Sequence, residues 1–571
     1  MFSRVVLFLI KTVILSFVIL TTLFHSAKSQ SNFPAGDKEE YYGRLLQITA
    51  ISYDKATYQL RPYYNITSAH QHPWQNIFFK SQDPFYSPVR YIKVDLFEPV
   101  LFQSYNTTLP RGTNDGAIWQ GKGYNMAISA GMGFTAGPLH IRFRPVAGYS
   151  QNRSFDLGPY ARPEIRVEDG RVEASIYAYR DFRGSIDYVQ RYGDTDFSWF
   201  DLGDSSVELR YAGIKAALSN QRIWTGPSLH TSLHFGYSAP GFRHFYLGTY
   251  EPISTFAGSF EFAYIFGGMK QSDYFDGRNT NSMQSVNSFI FIYSPWFTDH
   301  FSIGAIRTYF HPYPSTFGQY KSQARKLFDP GLRGALASGD DTFTDTWDPD
   351  NQLASIFFRY YLPSYGIEMY SEYGRNDHNM DWRDFRAHPN HQRAYTLGLL
   401  KTFIIPRNRL LAVNLEINQL ETNRTSLTRG NEHLGGWYTH GAQVQGFTNQ
   451  GQIPGTGYGP GVNIQMVRAD LFDPKGSLSV KFARIIYHNS RVDQFFDFIQ
   501  EKNRFSVERW EVRNVEFLIG AEMTAFLPAD FELSVALDQS FIINHHNLKG
   551  NDLVNTRLEL VIRKRLDRWR R

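Results

Sequence analysis

Two polar stretches set flat aromatic rings beside ionic side chains. Trp382, Arg383, Asp384, Phe385, Arg386 and His388 fall in one, and Trp437, Tyr438, His440 and Gln443 in the other. Aromatic faces stack on sugar rings, while Arg, Gln and Asp bond hydroxyl and carboxylate groups. That combination is the chemistry of carbohydrate contact, and Trp382, Arg386, Trp437, Tyr438 and His440 are the residues that carry it. The two tryptophans equally suit an aromatic girdle at a lipid interface.

Other chemistries find little support. No G-x-S-x-G, H-E-x-x-H, Walker A or EF-hand pattern occurs. Asp340 to Asp350 holds five aspartates, but their spacing is irregular and the turn glycine of a calcium loop is missing. This stretch reads as a solvated loop. Histidines pair at His230/His234, His388/His391 and His545/His546. On a strand, positions i and i+4 lie about 13 Å apart, too far to chelate one ion. They read as rim or lumen histidines. Gly455 to Gly461 is glycine-rich without a following helix, so it reads as a bend, not a phosphate cradle. There is no cysteine, which excludes thiol catalysis, disulfides and thiolate metal sites. No catalytic residue, metal ligand or cofactor is assigned.

The elements that position these residues are strands. Phe, Tyr and Trp make up 16% of the 571 residues, and charged residues only 20%. Leu411, Val413, Leu415 and Ile417 alternate with Ala412, Asn414, Glu416 and Asn418. Phe531, Leu533, Val535 and Leu537 repeat the pattern, as do Leu558, Leu560 and Ile562. Period two puts one set on each face of a sheet. Connections then sort by length. Tight turns at Gly137-Pro138, 294–298, 362–366, 405–409, 472–476 and 527–530 alternate with polar stretches at 312–352, 375–392, 421–465, 487–511 and 544–555. Strict alternation of short and long connections is the habit of an outer-membrane β-barrel, with tight periplasmic turns and long outer loops. The length predicts an even count of 16–18 strands. A lumen that wide is either filled by inward loops or conducts.

The N-terminus fits a secretory signal peptide over residues 1–29. Arg4 and Lys11 precede an apolar run from Thr12 to Phe24, and Ala27 and Ser29 offer small residues before a cut. Residues 30–88 read as a short periplasmic or lumen-entering lead-in, 89–566 as the barrel and 567–571 as a basic tail. Of the net charge of +5, three positive charges lie in the leader, so no basic field argues for nucleic acid.

Asn220-Gln-Arg-Ile-Trp-Thr-Gly-Pro227, followed by Ser238-Ala-Pro-Gly-Phe-Arg-His244, resembles the paired motif blocks of the Wzi family of capsule-assembly proteins. Gly121 to Asn125, Glu368 to Gly374, Arg393 to Gly398 and Trp437 to Gly461 continue the likeness. The resemblance implies an all-β, 18-stranded transmembrane barrel in the outer membrane. It implies a lectin-like protein, not an enzyme, that holds capsular or extracellular polysaccharide. Its other partners would be outer-membrane lipid and the barrel-insertion machinery. An open diffusion or uptake porin is the alternative. Within the blocks, Asn220, Trp224, Gly226, Pro227, Ala239, Pro240, Gly241, Phe242 and His244 are expected to serve structure inside the barrel or at its periplasmic rim.

Overall fold

A computed structural model describes residues 92–157, 186–275, 283–298, 300–328, 351–376, 392–407, 409–421, 445–487 and 506–564. Shorter described runs fall within 41–49, 86–89, 165–179, 386–390 and 436–443, with single positions at 500 and 503. Trp382, His388, His391, His440, the aspartate-rich stretch, the leader and the basic tail lie outside the described residues.

Eighteen antiparallel strands close into one barrel. In chain order they are β1 (Ile92–Asn106), β2 (Gly123–Ala136) and β3, whose segments Leu139–Phe143 and Val146–Ser150 flank Pro145. β4 is likewise split, Phe197–Asp201 and Ser206–Tyr211, and β5 (Ile214–Ser219) and β6 (Arg243–Thr249) are short. Then follow β7 (Gly258–Lys270), β8 (Met283–Pro295), β9 (Phe301–Pro312), β10 (Asn351–Leu362), β11 (Ile367–Asn376) and β12 (Arg393–Ile405). The last six are β13 (Arg409–Gln419), β14 (Asn463–Asp473), β15 (Gly476–Tyr487), β16 (Asn514–Leu527), β17 (Phe531–Ile543) and β18 (Leu553–Lys564). β18 returns to β1 in register, from Val100 opposite Arg563 to Asn106 opposite Arg557, so the wall has no free edge. A helix, α1 (Phe317–Lys326), follows β9, capped by the Thr316 hydroxyl.

The expected alternation is realised. On β13 the side chains of Leu411, Val413, Leu415 and Ile417 point outward, with Leu415 41% exposed. Ala412, Asn414, Glu416 and Asn418 point into the lumen and are buried. Ile303, Ile356, Val480, Phe482, Ile519 and Leu537 extend the outer apolar belt around the wall. Exposed Tyr211, Phe256, Trp296, Phe297 and Tyr365 ring the end that carries the short turns. Among the described residues no helix is long and apolar enough to cross a membrane, and strands alone make the wall. Both ends of that wall, Ile92 and Lys564, lie at the short-turn end. In an outer-membrane barrel this end is periplasmic.

Candidate functional site

The lumen is filled from three directions. Between β5 and β6 the chain does not turn back along the wall. Residues 220–242 leave the sheet and cross the interior, carrying both motif blocks. Asn220, Trp224, Ala239, Phe242 and His244 are all buried. Thr225 and Phe235 face each other inside this segment, the Thr225 N–H donating to the Phe235 carbonyl at 2.9 Å. Gly226 lies at φ +76° against the Glu372 carboxylate, where a Cβ would stand 2.3 Å from Oε2. Gly241 packs on the Asn220 carbonyl, 1.8 Å from where a Cβ would sit. Pro227 and Pro240 bracket the crossing, and the Pro240 carbonyl accepts from Asn449 at 3.1 Å.

Glu416 of β13 pins this plug to the wall. Its carboxylate accepts the main-chain N–H of Leu229 at 2.7 Å and of Thr231 at 3.0 Å, the Thr231 hydroxyl at 2.8 Å and the Tyr370 hydroxyl at 2.7 Å. A buried carboxylate is tolerated when its lone pairs are filled in this way. His230 and His234 belong to the plug, not to a strand as their spacing suggested. His230 meets Asn414 at 3.0 Å, and His234 meets Thr308 and Ser355, each at 3.0 Å. Burial pushes the His234 imidazole down to about 3, so it is neutral.

The described residues of the connection between β13 and β14, within 436–462, fold inward onto the plug. Trp437 and Tyr438, 2% and 0% exposed, both reach the Leu233 carbonyl, through the indole N–H at 3.3 Å and the phenol at 2.8 Å. Tyr438 sits at φ +78°, a costly conformation for a bulky residue, and is stacked on Phe447. These two rings were expected on an outer loop in contact with polysaccharide. Their burial corrects that placement: they pack the interior, because the loop that carries them turns into the barrel. Arg386 is exposed at the outer end.

From the periplasmic side a helical turn at 41–49 enters the mouth. Leu45 and Ile48 pack on Leu400, Leu410, Ala412 and Phe472. Arg44 and Arg359 both clasp Glu368, with Nε distances of 2.8 Å.

Among the described residues, two cavities lie on either side of a strap. Residues 107–122, between β1 and β2, fold inward and are tied down where Arg111 donates to Glu516 at 2.9 Å. Below the strap lies a cavity of about 190 Å³ walled by Arg468, Lys481, Asp538, Arg557 and Glu559. Its charges are largely paired: Lys481 to Asp538 at 3.0 Å, and Arg557 to Asp538 at 2.7 Å and to Glu559 at 2.6 Å. Asp115 of the strap lines both cavities, and burial and then the nearby Glu559 push its carboxyl up.

Above the strap is a vestibule of about 210 Å³, built wholly from connections and strand tips at the outer end. Trp119, Phe155, Tyr188, Tyr458 and Tyr487 give it aromatic walls, and Gln120, Gln452 and Asn514 line it as well. Both ring nitrogens of His545 are buried with no hydrogen-bond partner among the described residues. Burial, then His546 and Arg111, lower its imidazole to about 2, leaving one donor and one acceptor free in a neutral ring. Apolar faces with a few polar groups between them make a binding site for a small, hydroxyl-rich ligand. Sequence reasoning missed this site. Its residues come from five separate connections, and those that stood out beforehand, His545-His546, Ser238 and the bend around Tyr458, were not read as one site.

A closed 18-stranded barrel with an apolar belt and a filled lumen defines an outer-membrane β-barrel protein of the plugged kind. A family model described as capsule assembly protein Wzi matches residues 164–508. The chain belongs to that family, as its motif blocks suggested. Among solved structures, the Escherichia coli outer-membrane protein Wzi superposes with a TM-score of 0.50 at 12% identity, over 81% of this chain and 83% of that one. That protein is described as involved in group 1 capsule assembly and as a carbohydrate-binding β-barrel. OprD of Pseudomonas aeruginosa gives a TM-score of 0.39 at 9% identity, over 85% of this chain and 95% of that one. A BenF-like porin of Pseudomonas fluorescens gives 0.38 at 10% identity, over 84% and 100%. No curated protein sequence matches the chain significantly.

Proposed function

We propose that this protein binds capsular or extracellular polysaccharide at the bacterial surface and holds it there, without transforming it. The observation that carries the reading is the vestibule: His545, neutral and with no hydrogen-bond partner for its ring among the described residues, set among Trp119, Tyr188, Tyr458 and Tyr487 at the outer end. A sugar ring would lie against an aromatic face while its hydroxyls meet His545 and the neighbouring amides. The family match and the description of the E. coli structure as a carbohydrate-binding barrel support the same reading. A polymer engages many copies, so weak single sites suffice for retention. Arg386 and Trp382, from one connection, and His440, from another, would extend contact along the polymer. Residues 1–29 act as a signal removed on export, and the barrel-insertion machinery then places the wall in outer-membrane lipid.

The charged cavity below the strap is the feature that would suit a porin. The strap, the plug and the 41–49 turn all stand in that path. A screen of the purified barrel on immobilised glycans separates the two readings when paired with planar-bilayer recording. The lectin reading expects glycan binding that falls in His545→Leu, and no large steady channel. Open channels with no glycan bound would establish the porin instead.

A further inference from the structure

The helix α1 does not project from the outer end of the barrel but lies along its outside wall. Tyr320 packs edge-on to Phe266 of β7 at 4.6 Å and meets the Tyr264 hydroxyl at 3.2 Å. Just beyond the helix, Phe328 packs on Phe289 of β8 at 5.4 Å. Ser285, Asn287 and Gln352 share the outward faces of β8 and β10 with exposed Phe291 and Ile356, yet are 0%, 0% and 4% exposed. Polar groups facing outward beside a lipid belt would be costly, and the α1 segment covers them. Gln323 accepts from Ser285 at 3.0 Å, and Arg307 bonds both Gln352 and the Leu327 carbonyl. The helix is therefore fixed against the outside of the wall at its outer margin, beside the apolar belt.

Its free flank has a definite composition. With Tyr320, Gln323, Ala324 and Leu327 turned to the barrel, helical spacing puts Phe317, Lys321 and Arg325 on one exposed stripe, with Phe328 at its end. Phe317 is 78% and Phe328 67% exposed. No acidic residue occurs between Tyr313 and Phe328. Lys321 and Arg325 make no ion pair with a described residue. Aromatic anchors flanking two cations that pair with no described residue, held flat against a membrane-spanning wall, suit the boundary between acyl chains and negatively charged headgroups.

We propose that the stripe of Phe317, Lys321, Arg325 and Phe328 is a binding site for the phosphate-bearing headgroup of an anionic outer-leaflet lipid. The rings enter the acyl region, and the two cations grip phosphate. This anchors the outer margin of the barrel to its own leaflet, independently of any sugar in the vestibule.

The test titrates purified, folded barrel in neutral detergent with a fluorescent diphosphorylated lipid A analogue. Phosphatidylcholine serves as the zwitterionic control and inorganic phosphate as competitor. The pair Lys321→Gln/Arg325→Gln should weaken lipid A binding roughly 30-fold, at about 1 kcal/mol for each cation lost near an anionic surface. The charge-keeping pair Lys321→Arg/Arg325→Lys should bind as wild type does, and Phe317→Ser should weaken both lipids. Heat-modifiable gel mobility confirms that each variant is folded. Equal affinity for phosphatidylcholine, unchanged binding by the Gln pair, or full displacement by inorganic phosphate would each overturn the proposal. The last outcome would mark a site for a free anion.

Discussion

Thr231 gives both its main-chain N–H and its hydroxyl to the same oxygen of Glu416, at 3.0 and 2.8 Å. One carboxylate on the wall thus fixes a segment that is 185 residues away in sequence. The link ties the middle of the crossing, residues 229–231, to the wall.

Glu416→Gln keeps one acceptor oxygen but turns an NH₂ toward groups that themselves donate. Losing that acceptor leaves buried donors unpaired, at about 1–3 kcal/mol each. The wall does not depend on this contact, so insertion should be normal. Planar-bilayer recording should show brief openings in the variant that the wild type lacks. Recordings indistinguishable from wild type would mean that the plug is held elsewhere.

Leu415, next along β13, tests the opposite face. Its side chain is 41% exposed on the apolar belt. Leu415→Arg should destabilise the barrel by about 2–4 kcal/mol in liposomes if it lies near the midplane. Val535→Arg on β17 should behave alike. Urea titration of folded protein in vesicles measures both, and a neutral Leu415→Arg would refute the face assignment.

Gly241→Val places methyl groups where the Asn220 carbonyl already sits, 1.8 Å from the Cβ position. The plug must shift, at a cost of about 1–3 kcal/mol for a site with no slack. The heat-modifiable folded fraction in membranes should fall, while Gly137→Val, at a turn with open space, should leave it near wild type after the smaller strain of its positive φ.

Acid should loosen the plug through His234. Its imidazole titrates near 6.5 when unfolded and, lowered to about 3 by burial, stays neutral in the folded barrel. The unfolded chain therefore binds the extra proton as pH falls, and stability drops below pH 6.5. Between pH 7 and pH 5 the loss is about 2 kcal/mol for this one group. His234→Asn should remove that part of the pH dependence, read as the difference between the two unfolding midpoints at each pH.

The wall was legible because period two leaves its mark on strands such as β13 and β17. Leu411 to Asn418 showed which residues face lipid, and the turns at Gly137-Pro138 and 527–530 marked the strand ends. The interior was not legible in the same way. A long polar connection looks alike whether it rises into the medium or folds back, which is why Trp437 and Tyr438 were expected outside. Their shared partner, the Leu233 carbonyl, shows the direction, and it is more than two hundred positions away. Asn220, Trp224, Ala239, Phe242 and His244 of the motif blocks are buried inside the barrel. The vestibule escaped because no two of its walls share a local pattern.

The most direct test of the account is surface retention in living cells. A strain deleted for this gene is complemented with wild type, with His545→Leu, or with Phe155→Ala, and carbohydrate is assayed in the cell pellet and the medium at equal barrel levels. The account predicts that deletion moves polysaccharide into the medium, that wild type returns it to the pellet, and that the vestibule variants restore it only in part. If His545→Leu and Phe155→Ala together retain polysaccharide as wild type does, the vestibule is not the binding site. If deletion itself leaves the pellet unchanged, the protein does not hold surface polysaccharide.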